Sequence, residues 1–129
     1  MEFEPESLTV SCVVTESMLD STLGCGDTVK YSTAMMVALM EQAAKQLAAR
    51  YLSEGLTTVG VMMNTTHVAP TVSGVTVYAT ATLLERSEGQ FYFEITARDN
   101  MGIIGEATHQ RVAVSVDKFN EKARIRGGL

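Results

Sequence analysis

Apolar and polar residues alternate along much of the second half of the chain and crowd together in one stretch of the first half. Val75–Leu84 (VTVYATATLL) sets Val75, Val77, Ala79, Ala81 and Leu83 against Thr76, Tyr78, Thr80, Thr82 and Leu84. Phe91–Ala97 repeats the alternation, and Thr57–Asn64 and Gly105–Val116 are further extended runs. A period of two is that of a strand with one face covered. Leu8–Val14 (LTVSCVV), rich in β-branched residues, reads as a first strand. Turn chemistry separates the later runs: SEG around Gly89, and RDNMG before Ile103.

The exception is Ser32–Ala44, STAMMVALMEQAA. Ser32 and Thr33 are both suitable N-caps, and the apolar run starts directly after them. The helix is expected to continue to about Tyr51, with Lys45 and Arg50 in its later turns and Gly55 beyond it as a stop signal. Between Ala34 and Met40 it has no polar face, so burial on most sides is expected. Glu41 follows at once. A buried acid is costly unless paired or hydrogen-bonded, so Glu41 is either tied up structurally or present for chemistry.

One strand, one long apolar helix and four strands joined mostly by short turns make an α+β domain, an antiparallel sheet with the helix on its concave face. A single sheet leaves an edge and a face in need of cover, which predicts a dimer. The 129 residues form one domain, 46% hydrophobic and 19% charged, as globular chains are. No apolar run is long enough for a membrane span, and the acidic start MEFEPES is unlike a signal peptide, so a cytoplasmic protein without membrane contact is expected. Cys12 and Cys25 lack metal-ligand spacing and are expected to be buried, silent thiols.

The net charge of −5 argues against nucleic acid as a partner. The charge is uneven, however. Glu2, Glu4, Glu6, Glu16, Asp20 and Asp27 fall in a stretch with no Lys or Arg, whereas Arg111, Lys118, Lys122, Arg124 and Arg126 gather near the end. The basic segment reads first as a solvated tail, with contact to an anionic small molecule as the functional alternative.

Four polar residues interrupt the apolar pattern. His67 sits in NTTHVAPTVSG, where Pro70 and Gly74 turn the chain; His109 sits mid-strand in ATHQRVAV and reads as structural. Thr33 alone is a cap, and Glu41 alone is an acid paired to Arg111 or to a backbone donor. Together, a helix N-terminus, a carboxylate two turns along it and a histidine from a strand end supply carbonyl-binding donors and proton-exchanging groups. No GxSxG elbow, P-loop, metal-ligand pattern or dinucleotide fingerprint is present in the sequence. The chemistry these residues suggest is hydrolysis or proton transfer without a metal or cofactor.

STAMMVALME opening the helix, HVAPTVSGVTV leading into the sheet and GEATHQRVAVSVDKFNEK near the end resemble, in order and spacing, the hotdog-fold thioesterases. Within these the chain is most similar to the fluoroacetyl-CoA thioesterase group, over about Leu8 to Arg124. The resemblance implies a catalytic set of Thr33, Glu41 and His67, with Gly60 and Arg111 assisting at the substrate. It further implies an acyl-CoA substrate and a homodimer with active sites at the subunit interface, a dimer of dimers being left open. CoA is then part of the substrate, and no separate cofactor is expected.

One departure bears on specificity. The group guards its acyl pocket with aromatic residues before the helix, whereas STLGCGDTVKYS offers only Tyr31, and the matching position of the guarding phenylalanine is Asp27. A small or medium acyl group is therefore expected, and fluoroacetyl selectivity is not carried over from the group. The rival readings on this fold are a non-catalytic acyl-CoA binder, which would not need Thr33, Glu41 and His67 together, and a hydratase, whose Asp and His pattern is not seen.

Overall fold

The computed structural model describes residues 5–129. The order is β1 (Ser7–Val13), a 3-10 turn (Glu16–Met18), α1 (Asp20–Leu23), α2 (Thr33–Ala49), β2 (Leu56–His67), β3 (Thr76–Ser87), β4 (Gln90–Asp99), β5 (Gly102–Ser115) and α3 (Val116–Arg126). All strands join one antiparallel sheet in the order β1-β3-β4-β5-β2. The expected α+β arrangement of a sheet around one long helix is present, and β1 and β2 are its edges.

The hairpins follow from their turn residues. Glu88 and Gly89, between β3 and β4, both have positive φ (51° and 78°), the conformation that matches strand twist in a two-residue turn. The link from β2 to β3 cannot be a hairpin, because β2 lies beside β5 at the far edge. Residues 68–75 instead cross the end of the sheet, and Tyr31 N–H bonds Thr71 O (2.6 Å) on the way, tying the crossing to the start of α2.

α2 lies against β1 to β4. Met36, Met40, Ala43, Ala44 and Leu47 are fully buried against Val77, Ala79 and Ala81 of β3 and Phe93 and Ile95 of β4. Each buried large side chain is worth roughly 1.5–3 kcal/mol, so this inner face holds the fold together. Alanines on both sides let helix and sheet approach closely.

Four expectations need correction. α2 is not covered all round in a single chain: Ala34 is exposed, Val37 and Ala38 are half-buried, and the Glu41 side chain is 44% exposed. The pre-helix segment contains α1, where Asp20, itself buried, pairs with Lys30 at 3.4 Å. The basic end is a helix, α3, capped by Ser115 and exposed along its length. Both cysteines are free, Cys12 half-buried but Cys25 exposed.

Candidate active site

The sequence-predicted residues form two groups in one protomer. The first is at the start of α2. Ser32, fully buried, is the N-cap, and its Oγ accepts from Met35 N–H (3.1 Å). With capping done by Ser32, the Thr33 hydroxyl is free to bond elsewhere, and it meets His67 Nδ1 at 2.9 Å. His67 is the last residue of β2, three residues beyond the expected strand end. The Tyr31 ring stands edge-on to it, with centroids 6.4 Å apart.

His67 Nε2 is buried without a hydrogen-bond partner among the described residues. Burial lowers the pKa of the ring below its ordinary value of 6.5; the Lys30 cation adds to this and the Asp20 carboxylate opposes it. The imidazole is thereby favoured neutral, the state in which it can exchange protons. Lys30, His67, Val68, Ala69 and Pro70 line an open depression of ≈ 260 Å³. The first turn of α2 also contributes N–H groups that lack intrahelical partners and its positive dipole end.

His67 points inward because of a bulge. Gly60 pairs with Arg111 and Met62 with Gln110, leaving Val61 as the extra residue. Before it, Thr58 and Gly60 face α2; after it, Met63, Thr65 and His67 do, as the Met63 core contact and the bonds of Thr65 to Met40 and His67 to Thr33 show. One added residue reverses the facing of every later side chain in a strand. Without Val61 as a bulge, His67 would face away from Thr33.

The second group surrounds Glu41. Its Oε1 is 3.8 Å from Arg111 Nη1, an ion pair longer than a hydrogen bond. A Cβ on Gly60 would lie 2.6 Å from the same oxygen, so the carboxylate occupies space that only glycine leaves open. Arg111 is buried and firmly held: Nε donates to Thr58 Oγ1 (2.8 Å), Nη2 to Thr58 O (3.0 Å) and Nη1 to His109 Nε2 (3.2 Å). His109 Nδ1 in turn bonds Met62 O at 2.7 Å.

The two groups are separate. Thr33 and Glu41 are eight residues apart on α2, ~12 Å along the axis and ~80° around it. His67 and Gly60 are seven residues apart on β2, roughly 23 Å at strand spacing. Thr33 and His67 are thus together, Glu41, Gly60 and Arg111 are together, and one protomer does not join them.

Thr58 and His109 also belong to this constellation, although the sequence did not single out Thr58 and His109 read there as structural. The available signal was the parity of β5: Ala107, His109 and Arg111 are buried on one face, so two polar side chains in succession point at the helix.

The family model described as fluoroacetyl-CoA-specific thioesterase matches residues 14–117. The chain belongs to this family. The fluoroacetyl-CoA thioesterase of Streptantibioticus cattleyicolor is 36% identical over 94 residues, 73% of this chain and 68% of that one. A mutant of the fluoroacetyl-CoA thioesterase solved with fluoro-acetate superposes with a TM-score of 0.89 at 30% identity, covering 95% of this chain and 96% of that one. A thioesterase superfamily member from Thermus thermophilus shares the fold, with a TM-score of 0.88 at 24% identity over 97% and 93% of the two chains. The thioesterase family assignment and the hotdog fold therefore stand as the sequence resemblance implied, and acyl-CoA thioester hydrolysis is the chemistry of the family.

Proposed function

We propose that this chain hydrolyses the thioester of a small or medium acyl-CoA as a homodimer, with Thr33, Glu41 and His67 as the catalytic residues. The observation that carries the reading is the placement of Glu41. A half-exposed carboxylate stands against a strand glycine and beside a guanidinium fixed by three other hydrogen bonds. Such a group is oriented and reachable at once, as a nucleophile or general base must be.

The homodimer would bring the two groups together. Edge strand β2 exposes Val61 (53%) and Met62 (41%), and α2 leaves Ala34, Val37 and Ala38 incompletely covered beside Glu41. An apolar edge of this kind invites a second copy. A two-fold axis between antiparallel α2 helices would set Thr33 and His67 of one protomer against Glu41 of its partner, completing two equivalent sites.

In that site the α2 N–H groups and the Thr33 hydroxyl orient the thioester carbonyl and stabilise the developing oxyanion. Glu41 either attacks the acyl carbon, giving a mixed anhydride and CoA thiolate, or removes a proton from a water that attacks in its place. In the first case, water then hydrolyses the anhydride and regenerates the carboxylate. His67 relays to the departing thiolate the proton that the attacking water gives up, so the ring ends neutral as it began. Gly60 permits the close approach and Arg111 holds the carboxylate by charge. Asp27 is exposed and Tyr31 is the only aromatic residue of the preceding loop, which supports an acyl pocket without the aromatic guard, so fluoroacetyl selectivity is not part of the proposal.

Free-thiol release across a panel of acyl-CoAs from acetyl and haloacetyl to medium-chain tests the reading, with the Glu41→Gln variant beside wild type. Turnover by wild type and its loss in the variant support it. Thermal stabilisation by CoA esters without thiol release would favour a binding module, and addition across an enoyl-CoA double bond would favour a hydratase.

A further inference from the structure

We infer that His109 is a positioning residue for the reaction: as a neutral imidazole protonated at Nδ1, it fixes the Arg111 guanidinium against Glu41. The inference rests on the reading of Glu41 given above, and its geometry stands apart from that reading. A carbonyl oxygen only accepts, so the 2.7 Å contact with Met62 O requires a proton on His109 Nδ1. An arginine only donates, so the 3.2 Å contact with Arg111 Nη1 requires a bare lone pair on Nε2. Both conditions are met by one tautomer of the neutral ring and by no other state. An imidazolium would set an N–H against an N–H and a second buried cation beside the first.

The surroundings agree. His109 is 1% exposed. From β2 it meets the Met62 carbonyl and the open face of Gly60; from β4, the Phe93 ring at 6.1 Å; from its own strand, Arg111; and from α2 the one facing carboxylate is Glu41. Burial and the Arg111 cation both disfavour the charged ring, against the opposing influence of the Met62 carbonyl and Glu41. The Val61 bulge breaks the β2 ladder next to the carbonyl that His109 engages. The chain of contacts therefore runs from a backbone irregularity through His109 and Arg111 to the carboxylate. Thr58 takes two Arg111 donors, and His109 takes Nη1, the nitrogen that faces Glu41.

Two measurements on the full-length protein test this. The imidazole nitrogen NMR spectrum of wild type should show His109 protonated at Nδ1 and bare at Nε2, holding that state as pH falls below 6.5. In thiol-release kinetics, His109→Phe, which keeps a ring but no acceptor, should lower kcat about tenfold with KM within about twofold, the pattern of a lost transition-state interaction. His109→Gln, whose side-chain oxygen can replace the Nε2 acceptor, should recover kcat to within about threefold of wild type. In a Glu41→Gln background, His109→Phe should cause no further loss, because the two changes act through one group.

An Nε2–H tautomer, wild-type kcat in His109→Phe, or an equal loss in both backgrounds would overturn the positioning role while leaving Glu41 catalysis intact. Wild-type turnover by Glu41→Gln would overturn both.

Discussion

Replacing Gly60 by alanine should damage turnover far more than stability. The added Cβ would lie 2.6 Å from Glu41 Oε1, 3.2 Å from His109 Cε1 and 3.4 Å from Arg111 Nη1. Ordinary contact begins near 3.4 Å, so the buried His109 ring must give by about 0.2 Å and the carboxylate oxygen must retreat by about 0.8 Å. It can do so cheaply, because the Glu41 side chain is flexible and 44% exposed. Gly60 is also not among the positive-φ glycines, so alanine brings no backbone strain. A stability loss below about 1 kcal/mol is expected, a change of a few degrees in Tm. A displacement of that size at a reacting group can cost on the order of 100-fold in rate. The assay is thiol release by purified Gly60→Ala alongside a thermal melt. A near-wild-type kcat would refute the placement of Glu41 at the reacting centre. A large fall in Tm would refute the claim that the carboxylate yields easily.

Two further outcomes follow from other parts of the fold. Glu88 occupies the left-handed region (φ 51°) in the turn between β3 and β4, where Asn is better tolerated, so Glu88→Asn should stabilise by about 0.5–1 kcal/mol and raise Tm by roughly 2–4 °C without changing kcat. His67 and His109 have folded-state pKa values below 6.5, so the unfolded chain binds their protons first as pH falls. Their contribution to stability is complete above 6.5 and declines below it, toward the lowered folded values; melts at descending pH should show Tm falling there, and a Tm that rises across that window would contradict the buried neutral rings.

The sequence displayed the sheet and its helix plainly because period-two alternation and one apolar run are direct images of burial. Val75–Leu84 and Phe91–Ala97 needed no tertiary information. The length of β2 was less accessible, since the bulge at Val61 breaks its alternation and hides the fact that Thr58 and His67 face the same helix. Of the site residues, Gly60 entered only through the resemblance; physical reasoning alone yielded a carboxylate in need of a partner, with Arg111 among the candidates, and a helix start, an acid and a histidine able together to bind a carbonyl and exchange protons. His109 read as a core histidine, because a buried ring and a positioning ring look the same until the partners of both nitrogens are known. The exposure of Glu41 in the single chain was not foreseen, since helix periodicity reports which faces are apolar and not which of them another chain would cover. The helical form of α3 was obscured by its basic composition, which reads equally as a solvated tail.

The central claim is that Thr33 and His67 of one protomer work with Glu41 of the partner, and subunit complementation tests it most directly. Glu41→Gln and His67→Ala should each be nearly inactive alone. Co-produced, they should regain about a quarter of wild-type thiol release, because random pairing makes half the dimers mixed and each mixed dimer holds one intact site of two. No gain over the separate variants, or full activity in either one alone, would contradict the shared site.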